Sequence, residues 1–279
     1  MAMTINTNVM SLNAQRNLSN TGSSLATSMQ RLSSGLRVNS AKDDAAGLAI
    51  ADRLNTQVRG SAVAVRNAND AISLFQTAEG ALAKIGENIQ RIREIAVQAA
   101  NASLDETDRD NLQLEVTALQ TEIARVADTT RFGKLNLLDD SIVDGTFQIG
   151  ADEGDTIDAS AEITAMNMTG LTSYAALDIT GADGTAANGL LASLDDDIDL
   201  VNGARAQAGA IQSRFEAVVS QLQVYAENAS AARGRIMDAD FAVETANLSR
   251  AQILQQAGSA MVAQANQQPQ QVMALLRNF

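Results

Sequence analysis

The chain contains no cysteine, no histidine and no tryptophan, and only one proline among 279 residues. Without Cys there can be no disulfide, thiolate metal site or thiol nucleophile, and without His the commonest general base and metal ligand is missing. Lysine is scarce as well: of 20 basic residues 17 are Arg, and only Lys42, Lys84 and Lys134 are Lys. Against 33 acidic residues this leaves a net charge of −13, and no basic stripe offers itself to nucleic acid. Carboxylates and serines remain, yet they form no set of nucleophile, base and orienting group, so catalysis has no positive support. We expect no enzyme activity, no cofactor and no bound metal. The longest uncharged run, Ala251–Leu276, is interrupted by nine Asn and Gln and does not read as a membrane span. Residues 1–30 carry a single charge, Arg16, and no basic segment precedes an apolar stretch, which argues against a secretory signal peptide.

What the chain does have is 46% apolar residues, enough for a sizeable core, and an uneven layout of charge. The first acid is Asp43 and the last is Glu244. Residues 1–42 and 245–279 together carry +6, whereas 43–244 carries −19. Within it, 139–199 holds 14 acids and no Lys or Arg. Any single acidic run is an ordinary solvated face. Two matching ends opposed to the middle suggest that both termini share one environment while the middle faces water.

Helical periodicity dominates both flanks. Leu18, Gly22, Leu25, Met29, Leu32 and Leu36 alternate steps of four and three, a heptad seam. A second seam runs through Leu54, Val58, Val65, Ala68, Ile72, Phe75, Leu82 and Ile89, widened by Ile85, Ile92 and Ile95. Leu112, Val116, Leu119, Ile123 and Val126 give a third helix, with Asp105 placed to cap it. A fourth seam extends from Val201 through Ala208, Phe215, Leu222 and Ala229 to Ile236. The last, Ala251, Leu254, Gly258, Met261 and Ala265, is expected to stop before Pro269. Glycines punctuate 131–195, and Thr146–Ile149 and Thr156–Asp158 flank an Ala-Asp-Glu-Gly turn, which is a β-hairpin signal. Ala182–Asp183–Gly184 offers a second turn. Asp152, Glu153, Asp155 and Asp158 lack the glycine and closing Glu of a calcium loop and read as a solvated turn. Asp195–Asp197 reads as the N-terminal cap of the fourth helix.

The residues that build these seams also carry a resemblance. SLNAQRNLSNTGSSLATSMQRLSSGLRVNSAKDDAAGLAIADRL (Ser11–Leu54), RNANDAISLFQTAEGAL (Arg66–Leu82) and QRIREIAVQAAN (Gln90–Asn101) resemble the N-terminal region of bacterial flagellins. RIMDADFAVETANLSRAQILQQAGSAMVAQANQQPQQVMALLR (Arg235–Arg277) is similar to their C-terminal region. The likeness lapses over about 161–194, where larger flagellins carry outer domains and this chain keeps a short acidic stretch.

The resemblance implies a mainly α fold: a long coiled-coil-like bundle drawn from both chain ends, with a small β-hairpin and a short acidic insert. By it, 1–42 and 240–279 are inner-tube helices, disordered in the monomer. Residues 43–160 and 195–239 form a helical core domain with the hairpin near 140–160, and 161–194 is an exposed variable insert. It further implies a structural subunit that polymerises into the flagellar filament for motility. Such a subunit is secreted through the flagellar type III apparatus. Its expected partners are copies of itself, the cap and hook-associated junction proteins, an export chaperone and the flagellin-sensing Toll-like receptor of animals, with no nucleic acid and no membrane. The assembly residues would be Leu18, Leu25, Met29, Leu32, Leu36, Leu254, Met261, Leu275 and Leu276. The receptor residues would be Gln90, Arg91, Arg93, Glu94, Ile95 and Glu115, with Arg91, Ile95 and Glu115 grouped as anchors on one helical surface. Two other readings compete: a hook–filament junction protein of the same family, and a chemoreceptor-like cytoplasmic hairpin. The last predicts continuous helix through a central tip, which the glycine-rich 131–195 interval opposes.

Overall fold

A computed structural model describes residues 7–139, 142, 144–167, 177–181 and 184–277, with side chains to Gln267. The described elements, in chain order, are α1 (Val9–Ser34), α2 (Ala45–Ala99), α3 (Glu106–Thr129), β1 (Arg131–Phe132), β2 (Leu135–Asn136), β3 (Thr146–Gln148), β4 (Thr156–Asp158), α4 (Ser160–Met166), α5 (Thr185–Met237) and α6 (Phe241–Arg277). The fold is mainly α, as the seams imply. The chain divides into two compact units, one of Met1–Asn55 with Asn228–Phe279 and one of Thr56–Glu227.

In the first unit α1 and α6 run antiparallel. Asn8 starts α1, its side-chain oxygen accepting from the Ser11 N–H at 3.1 Å, and its Nδ2 donates across to the Ala265 carbonyl at 2.7 Å. Ser11 Oγ donates to Asn266 Oδ1 at 2.7 Å. At the far end of α1, Gly35 takes φ 73°, the left-handed cap that glycine adopts without strain, and its N–H meets the Arg31 carbonyl at 2.8 Å. A short antiparallel bridge, Leu36 with Asp238, then joins the two turns outside the helices. Arg37 N–H donates to the Met237 carbonyl at 2.6 Å and Ala239 N–H to the Gly35 carbonyl at 2.9 Å. Val38, Ala51 and Met237 form a small buried cluster beneath them, packed by Leu36, Leu48 and Ile236.

The second unit holds the main core. Leu82, Ile85, Ile89, Ile92, Ile95 and Ala96 of α2 are buried with Val116 and Ile123 of α3 and Val201, Ala204, Ala208 and Ile211 of α5. The β3–β4 hairpin forms where the sequence places it, pairing Phe147 with Ile157. It is pinned by aromatics: the Phe147 ring lies 5.4 Å from Phe215 edge-on and 6.2 Å from Phe75. A second ladder, β1 with β2, turns at Gly133, which takes φ 65°.

Two expectations are corrected. Helix α6 does not stop before Pro269 but continues to Arg277. Proline fixes a φ that a helix already uses, so a helix backbone can run through such a position without one of its backbone bonds. Helix α5 begins at Thr185, so Asp195–Asp197 lies inside it and not at its N-terminus. Asp195 instead pairs with Arg93. Of the Ala182–Asp183–Gly184 turn, 182 and 183 lie outside the described residues. Gly184 itself faces the backbone of Ala100 so closely that a Cβ would sit 2.3 Å from its carbonyl oxygen. The breaks at β1–β4 contradict the continuous helix that a chemoreceptor hairpin needs.

Candidate assembly surfaces

The contact between α1 and α6 is close but thin. Apart from Glu244, which faces Arg31, its most buried positions are small: Ser11 and Ser28 on α1, Ala251 and Ala265 on α6. Gly258 lies against Leu18, where an added Cβ would come within 3.1 Å of a methyl group. Leu18, Leu25, Leu32 and Leu36 are half-buried. Met29, Leu254 and Met261, which share the predicted seams, stay 57%, 50% and 60% exposed. Two small-residue helices can bury only narrow stripes of one another, so the rest of each apolar surface is left over. Leu275 and Leu276 lie beyond the described side chains.

The uncovered residues are large and numerous. Val9, Met10, Leu12 and Met29 on α1, and Phe241, Val243, Ile253, Leu254 and Met261 on α6, are each at least half exposed. Of these, Met10, Leu254 and Met261 come together with Leu18 along one groove between the helices, and exposed apolar surface of this kind marks an interaction site. The charges around it are few: Arg31 reaches Glu244 at 3.9 Å, with the Glu244 side chain 8% exposed. Asp240 caps α6 by accepting from the Ala242 and Val243 N–H groups. Asp43 orders the turn before α2, and the N–H groups of Asn39 and Ser40, with the Ser40 hydroxyl, hold its carboxyl below the usual range.

A second, charged surface lies on the other unit. Arg91 of α2 donates to Glu94 one turn on and to Glu115 of α3, both at 2.9 Å. The Glu94 carboxylate first, then Glu115, raise the guanidinium above its ordinary value. Arg93 points elsewhere and binds Asp195 of α5 through two bonds, 2.6 and 3.2 Å, which hold the Asp195 carboxyl down. Gln90 is exposed. Ile95 does not join this group: it is 1% exposed, within the core stripe of α2. Arg91 and Ile95 are four residues apart, yet that drift carries position 95 from the rim of the helix onto the face packed against α3 and α5. Solvent-exposed pairs of this kind add little stability, so the cluster matters as a pattern more than as a brace.

Arg109 was not singled out by sequence, although it falls seven residues before Val116 and fourteen before Ile123, on the buried line of α3. Its guanidinium is 1% exposed and donates to the carbonyls of Ala99 at 2.9 Å, Asn101 at 3.1 Å and Gly181 at 3.3 Å. Gln113, one turn on, imitates a neighbouring strand: it donates to the Leu177 carbonyl at 3.1 Å and accepts from the Ile179 N–H at 2.9 Å. Together they clamp the extended segment 177–181 to α3. The acidic turn is likewise internally organised, Asp155 accepting from the Asp152 N–H and Asp158 from the Ser160 N–H. Among the described residues no group of three acids converges as a metal site would require.

Neither surface has the geometry of a reaction centre. Both have that of an interface, and two family patterns match the chain: the bacterial flagellin N-terminal helical region over residues 5–142 and the C-terminal helical region over 191–276. The chain belongs to the bacterial flagellin family. A flagellin of Halalkalibacterium halodurans is 43% identical over 276 residues, covering 99% of this chain and 100% of that relative. Flagellin D of Vibrio anguillarum is 37% identical over 376 aligned positions, covering 99% and 100%. The crystal structure of a Bacillus cereus flagellin aligns with a TM-score of 0.49 at 30% identity, covering 56% of this chain and 88% of that one. As a flagellin the chain is a structural protein, a self-polymerising subunit of the extracellular flagellar filament. The junction-protein and chemoreceptor readings are not favoured. No described helix is long and apolar enough to cross a membrane.

Proposed function

We propose that the α1/α6 pair is the polymerising element of this subunit and forms the inner tube of the filament. The observation that carries this reading is the set of large apolar side chains on both helices, from Val9 to Met261, that no other described residue covers. A charge-poor, amide-rich surface packs against copies of itself without burying unpaired carboxylates, whose desolvation costs several kcal/mol each. The acidic middle keeps the shaft in solution. The ends then order as they assemble, because neighbouring subunits supply the apolar burial that two thin helices cannot supply alone. Export of the unfolded chain through the flagellar type III apparatus, an export chaperone, the cap and the hook-associated junction proteins belong to the same reading. Removal of 1–42 and 240–279 tests it. The remaining chain keeps the main core and should stay folded and monomeric by light scattering. Filaments from that fragment would overturn the assignment.

The charged surface supports a second role, recognition by the flagellin-sensing Toll-like receptor. Arg91, Glu94 and Glu115 form an exposed cluster, with Gln90 and Arg93 on its flanks, whereas Ile95 could contribute only by shaping the helix. An Arg hot spot is worth ~2 kcal/mol or more. Arg91→Ala monomer should therefore signal weakly in reporter cells and assemble poorly. Full signalling removes the receptor role, and normal swimming removes a shared role in the filament.

A further inference from the structure

The side chains that two-electron oxidants attack most readily are Cys and Met, and this chain has nine Met and no Cys. The described thioethers fall into two sets. Met166 and Met237 are 0% and 8% exposed. Met10, Met29 and Met261 are 61%, 57% and 60% exposed, and all three lie on α1 and α6. Met10 and Met261 moreover line one groove between these helices, with Leu18, Leu254 and Gly258. Among the described residues, the accessible sulfur is thus placed on the surface that has to become dry.

We propose that Met10, Met29 and Met261 are oxidation sites that control assembly: peroxide converts them to sulfoxides in the free subunit and so arrests its addition to a filament. The proposal rests on the assembly reading of α1 and α6. In the reaction a sulfur lone pair attacks one peroxide oxygen, the O–O bond breaks and an S–O bond forms. The other oxygen leaves as water after proton transfer. Sulfur is oxidised by two electrons and hydrogen peroxide is reduced. The product carries a strongly polar oxygen where an apolar side chain has to pack against the exposed Leu, Ile and Phe side chains of a neighbouring copy. The change is reversible, because separate reductases act on the two sulfoxide epimers. Met166 is shielded in the main core of the second unit, so that unit should survive a dose that stops growth.

The experiment elongates untreated filament seeds with full-length subunit exposed to graded hydrogen peroxide, with each methionine followed by peptide mass spectrometry. Met10, Met29 and Met261 should oxidise before Met166, and elongation should slow roughly tenfold or more, about 1.4 kcal/mol at the growing end. Treatment with both sulfoxide reductases should restore growth. A Met10→Leu, Met29→Leu, Met261→Leu subunit, which keeps the apolar volume, should elongate equally fast with and without peroxide. Single Met→Leu variants, each expected to recover part of the rate, serve where the triple change itself slows growth. Undiminished elongation by wild-type subunit with all three sites converted overturns the proposal, as does equal loss in the leucine variants. Elongation of the same seeds by subunit lacking 1–42 and 240–279 would instead count against the assembly reading, so the two failures are distinct.

Discussion

Replacing Arg109 by Met tests the clamp on 177–181. Methionine has similar length and no charge, so the volume at this 1% exposed position is nearly kept while three donors disappear. The carbonyls of Ala99, Asn101 and Gly181 then lose their guanidinium partner. Only the Ala99 carbonyl is buried, and the Asn101 carbonyl still accepts from the Leu104 N–H, so the unsatisfied acceptor costs ~1–3 kcal/mol, less some relief from burying a cation. For a cooperative unit of this size that lowers the melting temperature by roughly 2–10 °C. Arg109→Lys should fall between, because a single ammonium cannot reach three carbonyls as the planar fork does. Calorimetry of the monomer gives the global effect, and hydrogen exchange gives the local one: the Ile179 N–H, held by Gln113 Oε1 at 2.9 Å, should lose protection. A melting temperature within about 1 °C of wild type, with unchanged exchange at Ile179, would refute the reasoning.

Further expectations concern packing, glycine and acid. Ala208→Leu, at a site with 0% exposure, should destabilise the monomer by ~1–3 kcal/mol, whereas Ala210→Leu on the exposed side of α5 should leave its melting temperature unchanged; equal effects would reject the seam. Gly184→Ala should also destabilise, because its Cβ would strike the Ala100 carbonyl, but Gly189→Ala, with nothing within 4 Å, should be neutral or gain a few tenths of a kcal/mol, as thermal melts would show. Asp195, Asp158 and Asp178 are held below their ordinary value of 3.8 by hydrogen bonds from Arg93, Ser160 and Thr180, and Glu122 below 4.5 by Arg125. Folded values below unfolded ones mean the stabilisation is complete above the ordinary values and is lost as pH falls through the folded ones. The melting temperature should therefore hold from neutrality to about pH 5 and drop below about pH 4, with a shallower drop in Asp195→Asn.

Where the sequence has periodicity, the fold could be read from it. The seams through Phe75, Ile89, Val116, Ala208 and Phe215 are core residues, and Asp105 caps α3 by accepting from the Asp108 N–H. The β3–β4 hairpin is equally legible because its alternation is bounded by turn residues. Pairing across the chain was not. Asp195 sits in a run of three acids that looks like a cap, and only the approach of α2 to α5 turns it into the partner of Arg93. Ile95 shows the same limit: spacing groups it with Arg91, but the helix faces diverge and packing takes Ile95 inward. Arg109 was hidden by its own charge, although its heptad distance from Val116 and Ile123 was visible. The two-residue strands β1 and β2 are too short to show alternation at all. In the ends, heptads identified the helices but overstated how much of each seam the pair could bury, since Met29, Leu254 and Met261 remain outside it.

A helical reconstruction of the assembled filament by electron cryomicroscopy tests the central claim most directly. If α1 and α6 are the polymerising element, they will lie at the smallest radius, with Met10, Phe241, Ile253 and Met261 covered by neighbouring subunits and the acidic 139–199 interval facing solvent. A filament in which α1 and α6 lie on the outer surface, or in which these apolar side chains remain exposed, would contradict it.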